Sequence, residues 1–301
     1  MDRKRKPLAD QVVVVFGASS GIGRVTAIEA ARRGARVLAA ARGGAALASL
    51  AEEVGAPDRF ETIVAEAADP DEVRRVAERA VERFGRLDTW AHVAGVGEHA
   101  RFEDMTPEEF RRVVEVDLLG PVYAAKAALP HLRRSAAGAF VVVSSVVAKR
   151  AYPLLSAYSA AKHGVDGFLE SLRVELKHDG VPVAVTQILP AAVDTPFFEH
   201  SRTRLGVRPS GPPPVSPPER VAEAILSAVE KPRRDIVVGG AAKVQAGLQR
   251  ISPRVMDALV RATAFRPQRS SEPKRPEDRD ALDAPVEGDD RRRGVVTTVR
   301  R

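Results

Sequence analysis

The 301-residue sequence contains no cysteine. That excludes a disulfide framework, a thiolate nucleophile and any zinc or iron–sulfur site held by cysteine, so covalent or metal chemistry would need other ligands. The six histidines show no HExxH pairing, and nothing else in the sequence calls for a metal. No apolar run reaches the length of about 18 residues that a membrane-spanning helix needs. The basic start, Met1 to Lys6, leads into a short strand-like run rather than the apolar core of a signal peptide. A cytoplasmic chain without stable membrane insertion is expected.

The 44% hydrophobic content is ample for a buried core. The net charge of +7 is unevenly spread: residues 2–6 carry +3 and residues 266–301 carry +2, which leaves +2 for everything between. The excess therefore sits mostly in the termini, and no nucleic-acid partner is expected from the nearly balanced remainder.

Short β-branched runs alternate with longer Ala-, Arg- and Glu-rich stretches of helical period, the pattern of βαβ units and a parallel sheet. Strands are predicted at Val12–Phe16, Arg36–Ala40, Phe60–Val64, Thr89–Val93, Ala139–Ser144, Val183–Leu189 and Asp235–Val238. Helices fill the gaps at 21–33, 44–54, 70–84, 107–134 with a break, 156–178 and 217–230. The fold class is α/β: one Rossmann-type domain with a doubly wound seven-stranded parallel sheet flanked by helices. Ser216-Pro217-Pro218-Glu219 predicts a helix start in which Ser216 is the cap. The proline-rich stretch Thr195–Pro218 predicts a long functional loop. The organisation expected is a basic flexible N-terminus over 1–9, the domain over 10–240, a helical extension over 241–265 and a disordered charged tail over 266–301. Within the extension, helices are predicted at Val244–Leu248 and Pro253–Phe265, with Val255, Met256, Leu259 and Val260 sharing a face.

Two local patterns carry chemistry. Gly17-Ala18-Ser19-Ser20-Gly21-Ile22-Gly23 follows the first strand and opens the first helix. Glycine lets backbone approach a pyrophosphate there, and the helix N-terminus offers free N–H groups and partial positive charge. Tyr158 and Lys162 stand four apart in a helical stretch, so they share a face; Tyr123 and Tyr152 have Ala127 and Ser156 at the corresponding position. A phenol of pKa about 10 beside an ammonium becomes a more usable acid or base.

The GxxxGxG spacing, Ala94-Gly95 after the fourth strand, Ser144-Ser145 after the fifth, Tyr158-Ser159-Ala160-Ala161-Lys162, and Pro190 and Thr195 after the sixth together resemble the short-chain dehydrogenase/reductase family over about residues 10–240. The resemblance implies that Ser145 orients the substrate oxygen, that Tyr158 is the general acid/base, and that Lys162 lowers the Tyr158 pKa and holds the nicotinamide ribose. It places Asp117 at the fourth catalytic position, where the family has Asn. It implies a dinucleotide site built from Gly17, Ser19, Ser20, Gly21, Ile22, Gly23, Arg42, Glu66, Ala67, Ala94, Gly95, Tyr158, Lys162, Pro190, Val193 and Thr195. Glu66 and Ala67 fall where similar proteins meet the adenine. It also implies a homodimer or homotetramer paired through the long helices.

Several positions depart from the family pattern. Phe16 replaces a Thr, His92 and Val93 replace two Asn, and Ala191 replaces a Gly. Asp117 could serve the proton relay with altered pH dependence, or pair with Lys162 and dull it. No acid closes the second strand, where an NAD-selective site has one; Arg42 stands there instead and suits the extra phosphate of NADP. NADP is therefore expected over NAD, with NAD possible. The expected activity is interconversion of a carbonyl and a secondary alcohol, with Phe197, Phe198 and the proline-rich loop suggesting an apolar substrate. Two other classes stay open: a nucleotide-binding regulatory or scaffold protein of the same fold with little turnover, and nucleic-acid binding through Arg3–Lys6 and Arg291–Arg293.

Overall fold

The computed structural model describes residues 5–135, 137–239 and 252–294. The strands are β1 (Val12–Phe16), β2 (Arg36–Ala41), β3 (Phe60–Val64), β4 (Thr89–His92), β5 (Glu98–His99), β6 (Ala139–Val143), β7 (Ala184–Pro190), β8 (Arg202–Thr203), β9 (Val207–Pro209), β10 (Asp235–Val238) and β11 (Arg269–Pro273). The helices are α1 (Gly21–Arg32), α2 (Gly44–Val54), α3 (Pro70–Phe84), α4 (Pro107–Val114), α5 (Gly120–Leu132), α6 (Ser156–His178), α7 (Phe197–His200), α8 (Pro218–Glu230) and α9 (Pro253–Thr263).

Seven strands form one sheet in the order β10-β7-β6-β4-β1-β2-β3, and each pairs with its neighbours in parallel. Parallel strands covered on both faces must be apolar throughout, and Val12 to Phe16 and Ala139 to Val143 are buried along their whole length. One face packs on α1 and α8, the other on α3, α5 and α6, giving two hydrophobic layers. The chain runs outward from β1 to β3, then returns to place β4 on the other side of β1. The loops leaving β1 and β4 therefore diverge, which opens a cleft at the carboxyl ends of the strands.

Local chemistry sets the helix ends that frame this cleft. Asp69 caps α3 by accepting from the Asp71 and Glu72 amides at 2.9 and 3.0 Å, and Gly85 ends the helix in the left-handed region. Thr106 and Glu109 form a reciprocal capping box at the start of α4. The break expected within 107–134 is a five-residue π-helical turn, Glu115–Leu119, between α4 and α5. Such an insertion turns residues out of helical register, and here it faces the Asp117 side chain inward.

Three expectations are corrected. Ser216 does not cap α8; Pro217 precedes the helix without a side-chain cap, while Ser216 bonds through its backbone to Ala192 and Asp194. The proposed flexible N-terminus is anchored from Arg5 onward, since Arg5 donates to the Ala137 carbonyl at 2.8 Å and Lys6 meets the buried Asp88 at 2.7 Å. Residues 266–294, expected to be disordered, are packed on the domain. Strand β11 pairs antiparallel with β9, and Leu282 is fully buried in the core. The segment's charges find fixed partners: Arg202 binds Asp280 at 2.8 Å and Asp283 at 2.7 Å, and His200 meets Asp289 at 2.8 Å. Helix α9 agrees with its predicted range, but its apolar face divides: Met256 and Val260 are buried, whereas Val255 and Leu259 are exposed. The helix predicted at Val244–Leu248 lies outside the described residues. No helix among the described residues is long and apolar enough to cross a membrane.

Candidate active site

The β1–α1 turn is a backbone cradle. Gly17 has φ +100°, and a Cβ there would fall 2.4 Å from the Ala94 amide nitrogen; a Cβ on Gly23 would fall 1.9 Å from the Gly17 carbonyl oxygen. Only glycine permits either approach, and the turn brings the backbone N–H groups at the head of α1 to the cleft. Ser19, Ser20, Gly21, Ile22 and Gly23 line one end of the cleft with Arg42, Glu66, Ala67, Ala94, Gly95 and Thr195. Ser145, Tyr158, Lys162, Pro190 and Val193 line the other. The two ends share Ile22, Val93, Gly95, Thr195 and Phe197, so the expected cofactor and substrate residues border one continuous space. The residues fit a dinucleotide: a Cβ on Gly17 or Gly23 would collide with backbone, so the turn lies close against the cleft without side chains at those positions.

Ser145 follows β6, and its hydroxyl accepts from the Val147 amide at 3.2 Å. Tyr158 and Lys162 project from the first turns of α6, with the ammonium 5.2 Å from the Tyr158 ring centroid. Asp117 lies behind them rather than on the cleft wall. Its Oδ1 accepts from the Val96 amide at 2.8 Å, and its Oδ2 is 3.5 Å from the Lys162 ammonium. Burial holds the Asp117 carboxyl above its ordinary range against the pull of Lys162.

In this arrangement the Tyr158 phenol is shifted upward. Desolvation in the cleft pushes the phenol above its ordinary value, Asp117 pushes it further, and a hydrogen bond with Ser145 opposes them. The ammonium meets the ring face and Asp117, and it is burial that favours the protonated phenol.

Sequence reasoning missed several groups at this cleft. Arg112 binds Glu66 at 2.6 Å, and Arg42 reaches the same carboxylate at 3.5 Å. Glu66 thus bridges two guanidinium groups. The Ala281 carbonyl accepts from Arg42 at 2.5 Å and the Leu282 carbonyl from Arg112 at 3.0 Å. Further along, the Gly21 amide donates to the Arg291 carbonyl at 2.9 Å, and Ser49 donates to Asp290 at 2.5 Å. The C-terminal segment therefore forms one wall of the dinucleotide end. Phe197 packs on Tyr158 with ring centroids 5.8 Å apart.

Residues 11–206 match the short chain dehydrogenase family. The chain belongs to that family. It is 40% identical over 282 residues to an uncharacterized oxidoreductase, YxnA, of Bacillus subtilis (strain 168), covering 93% of this chain and 79% of the relative. An alcohol dehydrogenase from the archaeon Thermococcus sibiricus, solved with 5-hydroxy-NADP, superposes with TM-score 0.65 at 27% identity, covering 76% of this chain and 94% of that one. A short chain dehydrogenase/reductase from Burkholderia phymatum, solved with NAD, superposes with TM-score 0.75 at 22% identity, covering 83% and 96%. The matched range of this short chain dehydrogenase contains the glycine-rich turn and six of the seven strands of the sheet, all but β10.

Proposed function

We propose that this dehydrogenase interconverts a carbonyl compound and a secondary alcohol, using NADP in preference to NAD. The observation that carries the reading is the meeting of the Ser145 hydroxyl, the Tyr158 phenol and the Lys162 ammonium beside a cleft that begins at the glycine cradle. The cofactor supplies or accepts the hydride. In the reducing direction, Tyr158 holds the proton that the carbonyl oxygen needs, and the raised phenol pKa favours that state. The Ser145 hydroxyl donates to the same oxygen as negative charge develops. Lys162 would hold the nicotinamide ribose, and Asp117 positions Lys162 from behind. Pro190, Val193 and Thr195 would border the nicotinamide, and the cradle residues with Arg42 would hold the phosphates. The substrate end is walled by Tyr152, Phe197, Phe198, Met256, Leu259 and Val260, which suits a largely apolar substrate. Pairing of two or four copies through α5 and α6 belongs to the same reading, and Val174 on α6 is 66% exposed.

The test is nucleotide-dependent turnover of a panel of ketones, aldehydes and alcohols. Tyr158→Phe should lower kcat by about 100-fold or more while leaving cofactor binding intact. The Asp117–Lys162 pair favours a second reading, a nucleotide-binding protein with little turnover. Tight NADPH binding without turnover, unaffected by Tyr158→Phe, would establish that reading instead.

A further inference from the structure

The substrate end of the cleft has apolar walls but contains two buried polar groups without partners. Gln268 is 4% exposed, and its Nε2 donates to the Ala264 carbonyl at 2.8 Å and the Pro153 carbonyl at 3.3 Å. Those two acceptors fix the orientation of the amide, and Oε1 is left with no hydrogen bond. His99 is 1% exposed, and its Nδ1 is equally unpartnered. The two come from distant parts of the chain, yet the segments that carry them are both fastened to Pro153–Leu154. Ala100, next to His99, donates to the Leu154 carbonyl at 3.1 Å, and Pro153, next to Leu154, accepts from Gln268. Both side chains border the space that holds Ser145 and Tyr158.

This part of the cleft lies away from the reacting groups. Phe197 packs on Tyr158, Phe198 packs on His99 with centroids 6.2 Å apart, and the two phenylalanine rings meet edge-on at 5.5 Å. Two aromatic rings therefore stand between the phenol and the imidazole.

A buried acceptor without a donor is destabilising, so a fold that retains one at a binding cavity points to a donor brought by the ligand. A carboxylate would set acceptor against acceptor at Oε1. An ammonium would join the nearby Lys274, which is buried, donates to the Glu199 and Ser201 carbonyls, and disfavours a proton on His99. Burial, and then the Lys274 charge, keep the imidazole neutral, with one nitrogen donating and the other accepting. A hydroxyl satisfies both sites, donating to Oε1 and exchanging a second bond with the ring.

Resting on the oxidoreductase reading, we propose that Gln268 and His99 select apolar carbonyl substrates, or the matching alcohols, that carry a second hydroxyl at the end remote from the reacting carbon.

The probes are methyl ketones of increasing chain length and their counterparts hydroxylated at the far end. Dissociation constants on the full-length protein with NADP, and kcat/KM, are measured for each pair. At the matching length the hydroxylated ketone should be favoured by about tenfold or more in both quantities. Gln268→Met and His99→Phe should each bring that ratio towards one. Because the ratio is read within one protein, a general loss of stability in a variant cancels. A wild-type ratio near one at every length, a ratio that survives in both variants, or no binding of any hydroxylated ketone would overturn the proposal. Preserved discrimination in binding with no turnover of either series would instead remove the oxidoreductase reading and leave this one standing.

Discussion

Asp117 and Lys162 form a buried ion pair, with Oδ2 3.5 Å from Nζ, at the position from which the phenol of Tyr158 is controlled. Because the carboxylate opposes ionisation of Tyr158, removing its charge should make the phenolate easier to reach. Alcohol oxidation requires the deprotonated phenol and rises with pH through its pKa. In Asp117→Asn the rising limb should therefore move to lower pH, and the high-pH decline of carbonyl reduction should move the same way. Asn keeps an acceptor for the Val96 amide. Initial rates across pH in both directions check this, and an unmoved or alkaline-shifted limb would sink it.

Arg42 should set the choice between NADP and NAD. Arg42→Asp replaces a guanidinium suited to a 2′-phosphate with a carboxylate suited to a free hydroxyl. The ratio of kcat/KM for NADP over NAD should fall by about 10- to 100-fold, the range for one or two lost charge-assisted bonds. An unchanged ratio would refute the assignment.

Glu98 should make the protein less stable as the medium becomes alkaline. Burial, and then the neighbouring Glu109, hold its carboxyl up to about 8, against the pull of Arg204 and Arg202. The folded chain therefore binds a proton that the unfolded chain has already lost above a pKa of about 4.3. Stability falls as pH rises from that value to about 8. Glu98→Gln, which carries no titrating proton, should flatten the fall and melt a few degrees higher than the parent at pH 9. Thermal melts at pH 5 and pH 9 decide it; equal slopes for the two proteins would contradict the argument.

Leu282 should anchor the C-terminal segment. It is fully buried in the core, so Leu282→Ala should destabilise the protein by about 2–4 kcal/mol in denaturant unfolding. A loss below about 0.5 kcal/mol would mean that the segment contributes little to the fold.

The seven sheet strands were legible in the sequence because short β-branched runs alternate with longer stretches of helical period, and the central run Val12 to Phe16 is apolar throughout. The cradle and the Tyr158–Lys162 pair were legible because their partners lie within one turn or one helix. The C-terminal segment was not. Its composition matches that of unstructured chains, and the pairing that orders it is long-range: Asp280 meets Arg202 across 78 residues, and Asp290 meets Ser49 across 241. Arg112 was missed for the same reason, since it reaches Glu66 across 46 residues. The upward shift of Tyr158 was hidden because helical spacing says nothing of the burial around the phenol or of the carboxylate behind it.

On the proposed reading of the glycine turn, the hydrogen bond from the Gly21 amide to the Arg291 carbonyl would tie cofactor loading to the C-terminal segment. A phosphate at the head of α1 and that carbonyl compete for the same hydrogen. Loading and unfastening then become a single equilibrium, in which the apparent affinity equals the intrinsic one scaled by the fraction of molecules already unfastened. A substitution at the Asp290 or Arg291 clasp, far in sequence from the glycine turn, would thereby tune how tightly the nucleotide is held.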